Sequence, residues 1–191
     1  MKPAFKACFL ALSCVATLSL HAQLHYTLTY TDSSAERVRI TIKPAAALPT
    51  PVVFIMPRSV PGNYGVTKYD AFVEELTANG IDGSKTAFIK NSYGAPRWEC
   101  RDSNIRVRSI SYVINLKKMD EQLHAASDKS IIRPGFAGLL NYSVFGWIEN
   151  HAGDAVTCTI RSFAFQSFPH FALAEHQPGG CWNSQPPIII L

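Results

Sequence analysis

Alternation of apolar and polar positions dominates the middle of the chain. In LHYTLTY, residues 24–30, Leu24, Tyr26, Leu28 and Tyr30 share one face. A period of two is the mark of a half-buried strand. Asp32-Ser33-Ser34 reads as a turn. Residues 37–42 alternate again, with Val38, Ile40 and Ile42 inward and the arginines outward. Residues 44–51 hold three prolines, which rules out a central strand. Residues 52–56 are apolar throughout and predict a strand covered on both faces.

Residues 66–77 fit two readings. Val66, Tyr69, Phe72, Val73 and Leu76 have helical spacing, but the same segment suits a bulged strand. Asn79-Gly80 and Asp82-Gly83 are turn signals. Short strands are predicted over 86–90 and 97–100, with a loop between them. Residues 105–116 form the longest β segment. Its alternation changes phase between Val107 and Ile110, which predicts a bulge near Arg108-Ser109. Residues 117–138 are polar and loop-like, with a helical turn at 119–126. Residues 139–148 and 155–163 read as a hairpin joined through 149–154.

Seven to nine short strands, with turns at regular intervals, predict an all-β domain. The expectation is an antiparallel β-sandwich over residues 23–168 with one or two short helical segments. Beyond Phe168 the pattern decays into an irregular tail, 169–191, which ends on Ile188-Ile189-Ile190-Leu191. Such an end reads as a truncation, a place where more protein once followed.

The N-terminus has a different character. Lys2 and Lys6 precede an apolar run, and no acid occurs before Asp32. A basic start, a short apolar core and Ala22 at its end predict a signal peptide over 1–22, cut before Gln23. The run is shorter than the ~20 apolar residues of a membrane-spanning helix. The expected location is therefore exported (periplasmic, cell-surface or secreted), with no membrane span after cleavage. Ala11-Leu12-Ser13-Cys14 has a second reading as a lipid-attachment site at Cys14.

Charge adds little. Removing residues 1–22, with two lysines and no acid, takes the formal charge from +4 to +2. That gives no argument for nucleic acid. Arg106, Arg108, Lys117 and Lys118 read as solvated strand and loop positions. Of five cysteines, Cys100, Cys158 and Cys181 lie beyond the signal segment. They allow one disulfide at most, or three buried thiols, and the absence of C-x-x-C argues against a zinc knuckle. Cys158 alternates inward and is expected to be a packed thiol.

A zinc hydrolase of the H-E-x-x-H type needs two imidazoles one helical turn apart. The chain contains no His-Glu-x-x-His string. His170 and His176 lie six apart, about 240° around a helix. Glu121-Gln122-Leu123-His124 is a lone E-x-x-H without the matching helices that a di-metal bundle requires. G-x-S-x-G and P-loop motifs are also absent. No catalytic or metal-binding residue is assigned, and no cofactor is expected in this chain.

The stretch IMPRSVPGNYGV, residues 55–66, is the most distinctive. Pro57 has no N–H for a ladder and must stop the strand. Pro61-Gly62 suits the centre of a type II turn, proline presetting φ and glycine taking φ > 0. The stretch has two readings: a strand-ending loop, or a contact rim of Arg58, Asn63 and Tyr64.

Met56-Pro57-x-x-x-Pro61-Gly62-x-Tyr64 closes an apolar strand and precedes Tyr69, Phe72 and Val73. This string resembles the N-terminal β-domain of the glycyl aminopeptidase family, metallopeptidases that carry a PDZ domain. The surrounding order agrees: Tyr26–Thr29, then 37–42, the Trp98 strand, the long 105–115 strand, and Gly138-Leu139-Leu140-Asn141. Ser59 stands where that family carries a tryptophan. The resemblance covers roughly residues 24–165. It implies a non-catalytic domain that packs on, or shapes the substrate cleft of, a zinc-bearing catalytic domain absent from this chain. Either that domain or a peptide is the implied partner. The alternative is a self-sufficient exported binding module for a peptide, glycan or protein, with Tyr64, Tyr93 and Trp182 as contacts.

Overall fold

The computed structural model describes residues 24–30, 36–58, 65–91, 94–133 and 136–162. The expected signal peptide, the turn at Asp32, Pro61 to Tyr64, Tyr93, Cys181 and the tail lie outside the described residues.

The chain begins with β1 (Leu24–Tyr30) and β2 (Arg37–Pro44), then β3 (Leu48–Pro49) and β4 (Val52–Ile55). A 3-10 turn, Tyr69–Phe72, leads into β5 (Val73–Gly80), followed by β6 (Lys85–Ala87) and β7 (Ile89–Lys90). Next come β8 (Arg97–Cys100), β9 (Arg106–Asn115) and helix α1 (Leu116–Gln122). A second 3-10 turn, Ala126–Asp128, precedes β10 (Ile131–Arg133) and β11 (Phe136–Gly138). The last elements are α2 (Asn141–Val144), β12 (Trp147–Ile148) and β13 (Val156–Ser162).

The larger sheet runs β13-β1-β2-β9-β5-β6, with β3 also on β9, and the smaller runs β12-β4-β8-β7. Strands β10 and β11 pair as a separate hairpin. The strand-rich reading therefore holds, with one correction: the larger sheet is mixed, because β13 runs parallel to β1.

Alternation on β1 and β2 decides which face is buried. Leu24, Tyr26, Leu28, Val38, Ile40 and Ile42 all point into the core. From the smaller sheet Val52, Phe54, Trp98 and Cys100 are buried, and they join the same apolar cluster. Phe54 reaches Tyr112 of β9 with ring centroids 4.8 Å apart, so side chains of the two sheets touch directly. Each such aliphatic or aromatic side chain contributes about 1.5–3 kcal/mol on burial.

Strand β4 departs from the sequence expectation. Val52 and Phe54 are buried, but Val53 and Ile55 are half-buried. An apolar run thus covers one face completely and the other only in part. The ambiguous segment at 66–77 resolves into both readings in series, a 3-10 turn and then a bulged strand. The β5 register on β9 slips between Glu74 and Thr77, where Glu75 has φ 51. Asn79-Gly80 is the end of β5 rather than a turn. Its hairpin turn follows, with Gly83 at φ 84 and Gly80 N–H donating to Ser84 O at 2.8 Å.

Two segments read as single units divide between sheets. Residues 86–90 are split at buried Phe88, with β6 on the larger sheet and β7 on the smaller. Strands that bend from one layer into another make the corners of such packings. The predicted hairpin of 139–163 is likewise absent. Residues 141–144 form a helical turn, β12 pairs with β4, and β13 returns to the edge of the larger sheet. A short apolar run cannot by its period distinguish a strand from a buried helical turn. Helix α1 starts three residues before the predicted turn. Asn115 caps it, its side-chain oxygen accepting from Lys118 N at 2.9 Å, an arrangement that favours initiation there. Leu116 and Met119 of α1 are buried.

Between α2 and β12 the chain is held tightly. Tyr26 OH donates to Gly146 O at 3.0 Å, Gly146 N–H donates to Tyr112 OH at 3.0 Å, and Tyr112 OH donates to Val144 O at 2.9 Å. Burial pushes the Tyr26 phenol up to about 12, so it stays protonated as a donor at neutral pH. A Cβ at position 146 would collide with the Phe54 ring and lie 2.6 Å from Ile55 O. Gly146→Ala is expected to cost about 1–3 kcal/mol by overpacking, read as a lower urea midpoint with an unchanged slope.

Candidate functional site

Strand β4 delivers the chain to the proline-rich stretch singled out in the sequence. Met56 N–H still finds an acceptor, Pro96 O at 3.0 Å, but Pro57 cannot donate and the ladder ends. Arg58 follows. Its carbonyl accepts from Thr67 N at 3.0 Å, which ties the two ends of the loop together. Asn63, Tyr64, Pro61 and Gly62 fall between those ends and outside the described residues.

The Arg58 side chain is turned inward. Its Nε donates to Asp70 Oδ1 at 2.6 Å and its Nη2 to Asp70 Oδ2 at 2.7 Å, a bidentate ion pair. Asp70 sits on the 3-10 turn with a side chain only 2% exposed. Lys90 of β7 donates to the same Oδ2 at 2.8 Å, and its Nζ lies 4.8 Å from the centre of the Trp98 ring. One buried carboxylate thus joins β4, the turn before β5, and β7.

Burial alone would push the Asp70 carboxyl up. The hydrogen bonds and charges of Arg58 and Lys90 outweigh it and pull the value down to about 2. Sequence reading singled out Arg58 but missed Asp70 and Lys90. The signal was slight: an acid inside the apolar pattern of Tyr69-Asp70-Ala71-Phe72. The turn is anchored on its other side too, Tyr69 OH donating to Asp128 O at 2.8 Å and Lys118 Nζ to Ala71 O at 3.1 Å.

Other sequence candidates are scattered. Glu121 belongs to α1, which ends at Gln122, so His124 lies beyond the helix and does not share its face. His151 and Asp154 bond at 2.7 Å within one turn. Among the described residues, no group of three or more His, Cys, Asp or Glu side chains gathers as metal ligands. Cys100 is buried and Cys158 exposed, and neither is in a disulfide. Exposure of Cys158 corrects the packed-thiol expectation. It does face inward beside Tyr26, its register partner, but on the outermost strand of the sheet among the described residues. Among the described residues, no helix is long and apolar enough to cross a membrane.

Taken together, two β-sheets with a common core, and an Arg58 held by Asp70 where the chain leaves β4, define a β-rich domain. Residues 25–172 match the peptidase M61 N-terminal domain, and the chain belongs to that family. A solved structure with a similar fold is that of an aminopeptidase N family protein from Idiomarina loihiensis. It superposes with a TM-score of 0.59 at 14% identity, over 73% of this chain and 22% of that one. The present chain therefore corresponds to about a fifth of that protein's length. A search of curated proteins gave no match.

Asp70→Asn is expected to destabilise the protein by about 3 kcal/mol, since it strands two cations on a buried neutral group. The pH dependence has a defined sign. The folded value lies below the ordinary 3.8, so folding favours the ionised carboxylate. The stability gap between wild type and D70N should be constant above about pH 5. It should shrink as pH falls from about 4 towards 2, as read by urea titrations at each pH.

Proposed function

We propose that this chain is the N-terminal β-domain of a glycyl-aminopeptidase-type metallopeptidase. Its two sheets are the layers of a β-sandwich that packs on a catalytic domain and walls one side of its substrate cleft. The observation that carries this reading is family membership over residues 25–172, combined with the Met56-Pro57 strand end. The zinc, and the residues that bind it, would belong to the catalytic partner. Residues 1–22 act as an export signal in this reading, so the complex works outside the cytoplasm. In this reading Asn63 and Tyr64 would be contacts towards the cleft.

The contact face is assigned to the β13 edge. Val156 and Cys158 extend the inner rows of Leu24 and Tyr26 but are exposed, whereas Leu24 and Tyr26 are buried. An apolar row that outruns its covering layer marks an interaction surface.

Two measurements test this. The purified chain alone should release no N-terminal glycine from peptides and hold no stoichiometric zinc. Turnover by the chain alone would overturn the proposal. Maleimide labelling with peptide mass mapping should modify Cys158 quickly and Cys100 only on unfolding. A separately produced M61-type catalytic domain should protect Cys158, whereas unchanged labelling at saturating domain would refute the docking face.

A further inference from the structure

The solvent face of the larger sheet carries an open trough with a cavity volume of about 370 Å³. That is within the range of small-ligand sites. Its rim brings together Lys43 of β2, Arg108 of β9 and Lys85 of β6. Its floor includes Thr27, Thr41 and Asn79, and no carboxylate lines it among the described residues.

Three observations make this more than a solvated sheet face. First, the cations here are uncompensated. Lys43, Lys85 and Arg108 pair with no carboxylate among the described residues; Lys68, Arg106, Lys117, Lys118 and Arg161 also pair with none, but only the first two lysines and Arg108 line this one trough.

Second, neutral hydroxyls are set in register on the same sheet face, and two of them, Thr27 and Thr41, line the trough. Thr159, Thr27, Thr41, Ser111 and Thr77 form one row across β13, β1, β2, β9 and β5. Thr41 and Ser111 hydroxyls lie 3.3 Å apart, and Asn79 Nδ2 donates to Ser111 Oγ at 3.3 Å. His25 adjoins the row, its ring bonded to Thr157 Oγ1 at 2.8 Å.

Third, a bulge places one of the cations. On β9, Val107 pairs with Gly80 and Ser109 with Asn79, leaving Arg108 as the extra residue. Val107 and Ile110 therefore both stay buried while Arg108 and Ser109 both face solvent. Strict alternation would have turned one of those two inward. Bulges recur where a strand must re-aim a side chain at a site.

We propose that this trough binds a multiply charged tetrahedral oxyanion, a phosphate- or sulfate-bearing ligand. Its lysines, arginine and hydroxyls come from separate strands and line one trough. A tetrahedral anion offers oxygens to donors spread in this way, whereas a carboxylate accepts mainly in one plane. Single-stranded nucleic acid fits less well, because the trough lining includes no Phe, Tyr or Trp as a platform for successive bases. The inference does not depend on the peptidase reading.

The test uses the full chain and isothermal titration calorimetry at low ionic strength, where exposed charges are least screened. Inorganic tripolyphosphate and sucrose octasulfate are the two probes, and they distinguish a phosphate from a sulfate ligand. At least one should bind at a single site, and binding should weaken with added salt. The K43A/K85A/R108A variant should lose at least about tenfold in affinity, a factor that three lost charge contacts supply together. K68A/K117A/K118A removes the same charge elsewhere and should change affinity less than about twofold, within what distant charge contributes through screening solvent. Circular dichroism establishes that both variants are folded. The proposal is overturned if neither probe binds, if both triple variants weaken binding equally, or if polyglutamate or a single-stranded oligonucleotide binds more tightly than either probe.

Discussion

The two sheets meet where a three-residue stretch, Val144 to Gly146, passes between two buried tyrosines. Irregular backbone in a core leaves amide and carbonyl groups without a ladder, and each unsatisfied one costs about 1–3 kcal/mol. Tyr26 and Tyr112 supply the missing partners, from β1 and β9 respectively. Their rings remain in the apolar layer while their hydroxyls serve the crossing chain. Room for that crossing comes from the absent side chain of Gly146 beside Phe54. Directly beyond this crossing β12 pairs with β4, and β13 then pairs with β1.

A second polar group governs the other end of the smaller sheet. Asp70 has three hydrogen bonds from two cations, and both cations come from strands of that sheet or their immediate continuation. Buried charge of this kind adds little net stability over a packed apolar group, but it is costly to unpair. Its effect is therefore on geometry: Arg58 has one place to be, and the loop leaving it starts from a fixed point.

Strand identity was legible wherever one face is buried. β1, β2 and β8 run as the alternation of Leu24 to Tyr30, Val38 to Ile42 and Arg97 to Cys100 implies. The phase change near Arg108 revealed a bulge, because inward positions must stay inward whatever happens between them. Partners were not legible. Residues 86–90 give no hint that Phe88 is a corner between sheets, since both halves keep a period of two. Nothing in 155–163 signals parallel pairing with β1, a partner more than a hundred residues away in sequence. Among site residues, Arg58 stood out beside its prolines. Asp70 and Lys90 did not, because their meeting is set by the packing of distant segments. The trough was invisible for the same reason, as its cations lie on three strands far apart in sequence.

The bulge at Arg108 separates what the two faces of β9 demand. An ordinary strand ties each outward residue to an inward neighbour one step away, so altering the sequence length on one side disturbs the other. Here a single supernumerary residue is carried wholly on the outer face, and the inner row from Val107 to Ile114 is left intact. Position 108 is exposed, so a change of side chain there does not touch the buried row. A domain built this way can change what its outer surface meets while the layer that holds it together stays the same.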